Sequence, residues 1–265
     1  MKRLRHVVRA TVASFRVAIM MAVQYRASFV AEAVVSVFWL AWTIVPLFVL
    51  FRFQRGVAGW SQDEALVVVG FFITLSGVLD AFVDPNLSAV VQHVRQGTLD
   101  YVLLKPIDAQ LLVSVHRTAP SKLPHVLAGV IVAVIAAARL PRAPGAADLG
   151  AAFLLLGAGT AILYSLWTMV VSLSFKFVRV DNLSYLLRTF VDAGRWPTAF
   201  YPVVVRFVLT FIVPVGLMTT YPALALRGAL STSGLALALG VALAFFGAAR
   251  IAWTLAVRRY ASASS

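Results

Sequence analysis

Six times along this chain a block of apolar residues runs long enough to cross a lipid bilayer, and no other feature limits its fold as much. A hydrocarbon core of about 30 Å takes roughly 20 helical residues to cross. The blocks run from about Phe29 to Phe51, Ala65 to Val83, Leu123 to Leu140, Leu149 to Ser174, Val203 to Leu226 and Leu235 to Val257. In lipid every backbone N–H and C=O must find its partner within the protein, so such blocks read as helices. Composition agrees, at 61% hydrophobic and 12% charged, where soluble domains carry about 25% charged residues. The expected fold class is all-α. It is a polytopic transmembrane helical bundle of about six spans, a single domain over residues 1–265 with little room for a second, soluble one.

The segments between the blocks carry the polarity. From about Leu4 to Arg26, Val8, Val12, Phe15, Ile19 and Val23 share one helical face, and Arg5, Arg9 and Arg16 share another. A basic amphipathic helix of this kind lies in the headgroup layer, so residues 1–26 are expected to form a cytosolic tail and an interfacial elbow helix. Residues 84–122 are too polar for lipid. There Asn86 is expected to cap a short helix that Gly97 ends, with Val90, Val91 and Val94 on its apolar side, lying along the membrane surface. With both termini cytoplasmic, 18 of the 23 basic residues fall in inner segments, a bias that orients the spans. The net charge of +13 therefore reads as topogenic, directed at membrane lipids and not at nucleic acid. After Met1-Lys2-Arg3-Leu4-Arg5 no compact apolar core with a small-residue cleavage site follows, so no cleaved signal peptide is expected.

Chemistry-bearing motifs are missing. There is no Gly-rich phosphate loop, no Gly-x-Ser-x-Gly elbow, no cysteine, and no metal-ligand spacing among His6, His93, His116 and His125. No catalytic, cofactor or metal site is expected. Within the apolar blocks Glu32, Asp80 and Asp84 are the notable carboxylates. Carboxylates in a bilayer are costly and tend to face a wet cavity, which makes Asp80 and Asp84 candidate pathway residues that attract a cationic substrate. Alternatively, both lie at the membrane boundary and pair with basic neighbours. Gly157-Ala158-Gly159-Thr160-Ala161 lets helices approach closely. Trp60, Trp196 and Tyr260, at span ends, read as interfacial anchors.

The loop after the second block contains Arg95-x-Gly97-x-Leu99-Asp100 followed by Leu103-Leu104-Lys105-Pro106. Here the chain resembles the ABC-2 type permeases, specifically their small six-span family. A later block agrees: Gly194-Arg195-Trp196-Pro197, Tyr201-Pro202, Ile212-Val213-Pro214 and Tyr221-Pro222-Ala223, with Trp196 where the family commonly has Tyr. The resemblance implies a permease subunit in a bacterial cytoplasmic membrane, powered by a separate cytosolic ABC ATPase dimer. ATP and Mg would belong to that partner and no cofactor to this chain. It implies pairing with a second copy or a homologous permease, with export the usual direction. It also implies that Gln92, Arg95, Gln96, Gly97, Thr98, Leu99 and Asp100 form the coupling helix and loop that dock on the ATPase.

The fifth span is open on residues alone. Hydropathy selects Val203 to Leu226, whereas the resemblance selects about Arg179 to Trp196. In the second case residues 197–230, with Pro197, Tyr201, Pro202, Pro214 and Pro222, would form a re-entrant outer segment, and Arg188 and Asp192, four apart, could pair. The resemblance favours the re-entrant version. An ATP-independent secondary transporter or channel is the main alternative function, though no internal repeat supports it; a scaffold without transport is a third.

Overall fold

A computed structural model of the chain describes residues 20, 26–115, 117–176 and 181–260. The expected elbow helix lies almost wholly outside them. Among the described residues the protein is helical, without strands. Five helices are long and apolar enough to span a membrane, within α1 (Arg26–Phe53), the run Gln62–Arg95, the run Pro120–Ala138 containing α6 (Leu123–Ala138), α7 (Ala146–Leu173) and α11 (Thr232–Arg258). Short connections join them at one end of the bundle, the short-loop end. The long connection from Gln96 to Lys122 marks the other, the long-loop end.

The second span begins with α2 (Gln62–Val78), whose first turn is fastened by its own sequence. Ser61 Oγ accepts from the Glu64 N–H at 3.3 Å, and Glu64 Oε2 accepts from the Ser61 N–H at 2.8 Å. This reciprocal box satisfies two donors that the helix leaves unpaired. Glu64 also meets Arg227 at 2.9 Å, and the Arg227 guanidinium lies 5.3 Å from the Trp60 ring centroid. Ser61→Ala should destabilise the fold by about 1 kcal/mol, read as a lowered midpoint of thermal unfolding in detergent.

This span does not stop at Val83, where the apolar block ends. A π turn over Leu79–Val83 leads into α3 (Asp84–Arg95), and the whole helix is 34 residues long. Proline lacks an N–H and leaves the carbonyl four residues back unpaired. For Pro85 that carbonyl belongs to Ala81, and the Ala119 N–H donates to it at 2.9 Å. Asn86 is therefore no helix cap. It is 2% exposed, donates through Nδ2 to the Phe82 and Arg117 carbonyls, and accepts from the Arg117 N–H at 2.6 Å. Residues 117–119 thus strap the break in the second span to the start of the third. The expected surface-lying helix is instead a continuation of the span.

Close packing centres on glycine. A Cβ on Gly70 would sit 2.6 Å from Ala133 N, one on Gly77 2.7 Å from Val126 N, and one on Gly129 2.4 Å from Thr74 N. Each obstruction is backbone, so α2 and α6 touch main chain to main chain, as small residues permit in membranes. On α7, Gly159 faces Met218 at 3.0 Å, whereas a Cβ on Gly157 would meet nothing within 4 Å. The small-residue cluster therefore packs on one side only.

The apolar stretch from Val203 to Leu226 is not one straight span. A short helix, α9 (Val203–Phe207), and a second π turn (Val208–Ile212) meet α10 (Val215–Leu226) at 97°. Pro214 sits at the corner, where it cannot donate a helix hydrogen bond. At 12 residues α10 is about 18 Å long and does not cross alone. It is buried against α2 and α7 and ends at the short-loop end, on the Arg227–Glu64 pair. The rival segment is also short: α8 (Asp181–Asp192) with a 3₁₀ turn through Arg195. On α1 the apolar face with Phe38, Trp39 and Trp42 is exposed, while Leu47 is buried. That face suits lipid as its solvent.

Candidate functional site

The tip of α3 is built by a helix stop. Gly97 has φ +66°, a left-handed conformation that glycine adopts without steric cost. The Thr98 N–H donates to the His93 carbonyl at 3.0 Å and the Gly97 N–H to the Val94 carbonyl at 3.3 Å. Those two bonds define the Schellman stop, which satisfies carbonyls the helix leaves free. His93 Nδ1 and Thr98 Oγ1, 2.8 Å apart, close it from the side.

Gln92, Arg95 and Gln96 are exposed at this tip, and Gly97, Thr98 and Asp100 are half-buried. Leu99 differs from its neighbours. It is fully buried, so it anchors the loop and presents nothing to a partner. Immediately after it, α4 (Asp100–Leu103) carries Tyr101 and leads to Leu104, which are 73% and 80% exposed. Two large apolar side chains on a projecting loop are an unusual display for a surface that contacts only water.

Asp80 and Asp84 face a cation of the chain itself. Arg188 Nη1 donates to Asp80 Oδ1 at 2.8 Å, and Nη2 lies 4.0 Å from Asp84 Oδ2. Trp167 Nε1 donates to Asp84 Oδ1 at 3.2 Å, and the Arg188 guanidinium lies 6.0 Å from the Trp167 ring centroid. The expected turn-to-turn pairing of Arg188 with Asp192 gives way to this one. The cluster ties α8 to the π turn of the second span and gives both aspartates a basic neighbour.

A second polar network escaped sequence reading. On the loop before α5 (Ala109–Val115), Asp108 binds Arg250 of α11, with Nη1 to Oδ1 at 3.1 Å. Arg250 also donates to Gln110 Oε1 at 2.8 Å; Gln110 donates to Tyr164 Oη at 3.1 Å, and Ser114 Oγ lies 2.7 Å from the same phenol. The Arg250 guanidinium holds the Asp108 carboxyl below the usual carboxylate range. A lowered pKa means this contribution is present above the ordinary carboxylate pKa and is lost as pH falls through the lowered value. The only sequence signal was polar side chains, such as Tyr164, inside or beside apolar blocks.

The proline-rich segment is drawn together around α10. Pro197 precedes a 3₁₀ turn, Thr198–Phe200, and the Thr198 N–H donates to Thr220 Oγ1 at 3.2 Å. Tyr201 Oη donates to the Ala193 carbonyl at 2.9 Å, and Thr219 Oγ1 donates to the Gly194 carbonyl at 2.8 Å. Pro202 starts α9, Pro214 precedes α10, and Pro222 lies inside it.

Among the described residues no group of three or more His, Cys, Asp or Glu side chains is placed to hold a metal ion. A family model described as ABC-2 family transporter protein matches residues 37–264. No curated protein and no solved structure matches the chain.

Proposed function

We propose a function from one premise: the chain belongs to the ABC-2 family of transporter proteins. It is the membrane-embedded permease subunit of an ATP-binding-cassette transporter, and a separate cytosolic ATPase dimer powers it. The sequence supports this division of labour, because it contains no phosphate-binding loop of its own. Two permease chains, identical or homologous, form the pathway, and export is the direction that family habit favours.

The observation that carries this reading is the length of the second span. Its 34 residues make about 51 Å of helix, against a hydrocarbon core of about 30 Å. The surplus lifts Gln92, Arg95 and Gln96 clear of the lipid on a rigid, firmly stopped helix. A motor on a separate chain needs such a contact, because its movement must reach the spans through packed elements. Orientation follows from charge. Arg95, Lys105, Arg117, Lys122, Lys176, Arg258 and Arg259 lie toward the long-loop end, and basic loops stay cytoplasmic. In the version that the resemblance favours, the broken pair α9–α10 is the re-entrant outer segment and the stretch from about Arg179 to Trp196, which contains α8, is the fifth crossing; Arg195 and Arg206 then lie outside and the charge bias narrows.

The natural chain has no cysteine, so Gln96→Cys creates a unique probe. An impermeant maleimide should label it in inside-out vesicles and not in right-side-out ones. A thiol-to-amine crosslinker should join it to the ATPase that co-purifies with the chain. Labelling from the outer side alone, or gradient-driven flux by the purified chain without any ATPase, would overturn the assignment.

A further inference from the structure

Beside α3 lies a cavity of about 220 Å³ whose wall shares Thr98 and Tyr101 with the tip. Its walls include Val90, Val102 and Val113, and two cations, Lys105 and Arg117, line it as well. Among the described residues neither cation has an ion-pair partner. Arg117 is not loosely placed. Asn86 holds its backbone from both sides, accepting from its N–H and donating to its carbonyl. An exposed guanidinium without an ion pair, on a clamped backbone, shares this cavity with an exposed ammonium, apolar walls and the polar side chains of Asn86, His93 and Thr98, a lining that suits an anion. Low-dielectric walls strengthen the attraction of such charges.

The depth of the cavity says which anion. Asn86, on its wall, lies about 36 Å along the helix from Gln62, where a core of about 30 Å has ended and the headgroup layer has begun. Arg117 precedes by three residues the Pro120 turn that opens the third span. We propose that this cavity binds the phosphate of an anionic phospholipid from the adjoining leaflet, held between Lys105 and Arg117. The lipid's chains stay in the bilayer and the phosphate bridges two segments otherwise joined through α4 and α5. The site lies on the face of α3 that carries Asn86 and Val90, while Gln92 and Arg95 point elsewhere. Thr98 and Tyr101 of the tip share the cavity wall, so a bound phosphate stiffens the joint directly beneath the contact surface. The inference needs the membrane location alone and stands whether or not an ATPase docks on this loop.

The test is native mass spectrometry of the full chain in detergent, titrated with phosphatidylglycerol or phosphatidylcholine. The natural chain should retain phosphatidylglycerol about thirtyfold better, the scale expected for two cations that both face the phosphate. Lys105→Gln with Arg117→Gln should abolish that preference, and Lys105→Arg with Arg117→Lys, which keeps both charges, should retain it. Arg258→Gln with Arg259→Gln, an equal loss of charge toward the same end but outside the cavity lining, should change it less than about twofold. Equal losses in both glutamine pairs would reduce the effect to general surface electrostatics and overturn the site. An unchanged preference in the Lys105/Arg117 glutamine pair would overturn it as well. Competition by glycerol phosphate as effective as by the whole lipid would assign the cavity to a soluble phosphate, against the proposal.

Discussion

Gly129→Leu should leave little monodisperse protein after mild heating, and Gly129→Ala alone should lower the unfolding midpoint clearly. The reason is geometric. A Cβ at this position would stand 2.4 Å from Thr74 N and 2.6 Å from Thr74 Oγ1, and main chain cannot swing aside as a side chain can. Relief requires α2 and α6 to separate, which also strips the contacts at Gly70 and Gly77. Overpacking costs about 1–3 kcal/mol for a methylene or two, and leucine adds three further heavy atoms beyond the Cβ. Thr74 would be disturbed too, since its hydroxyl donates to the Gly70 carbonyl at 2.8 Å in the same buried seam. Gly157→Ala and Gly240→Ala supply the contrast. Both sit inside helices with open space around the added atom, so each should be neutral or stabilising by up to about 1 kcal/mol. Size-exclusion chromatography with fluorescence detection after a heating series reads all four. A Gly129→Ala midpoint equal to that of Gly157→Ala would mean the helices are not seated on one another as described.

Arg95→Glu combined with Gly97→Pro should abolish ATP-driven transport while the chain still inserts and the partner ATPase still turns over. Proline fixes φ near −65°, whereas residue 97 sits at +66° and donates its N–H to Val94. The stop that shapes the tip is thereby removed at a cost of about 3 kcal/mol, a shift of roughly a hundredfold between ordered and disordered tip. Charge reversal at Arg95 adds repulsion at an exposed contact point. Vesicles carrying the complex, loaded with an amphipathic probe that the natural complex moves, report transport, and phosphate release reports hydrolysis. Normal coupling in this double variant would show that the motor engages the membrane chain elsewhere. Because Leu99 is buried and Gln92 exposed, Leu99→Ala should act through stability and Gln92→Ala through docking, which separates anchoring from contact.

What could be read from residues alone followed from how far each signal reaches along the chain. Apolar runs of twenty residues are local and strong, so α1, α6, α7 and α11 were legible with ends close to those observed. Gly97 as a helix stop was legible because left-handed backbone favours glycine whatever surrounds it. The end of the apolar block at Val83 misled, since polarity beyond it does not tell whether the helix stops. The carbonyl that Pro85 orphans is satisfied by Ala119, more than thirty residues later, and no local pattern announces that. Arg188 was judged against Asp192 on its own helix, when its partners Asp80 and Asp84 lie over a hundred residues earlier. The seam of Gly70, Gly77 and Gly129 left a trace in the seven-residue spacing of the first two, which puts both on one helical face. The visibly small-rich cluster at 157–161 drew attention from it. Hydropathy found the stretch around Pro214 and took its corner for straight helix.

The strap at Ala81 and Asn86 turns the long second helix into a lever on a fulcrum. Beyond Asn86 nine residues of α3 remain, and the arm from Gln62 to Ala81 is about twice as long, at 20 residues. A sideways push at the short arm would be geared up across the membrane, and the glycine seam would carry the third span with it. Under such a push distance would be gained and force surrendered.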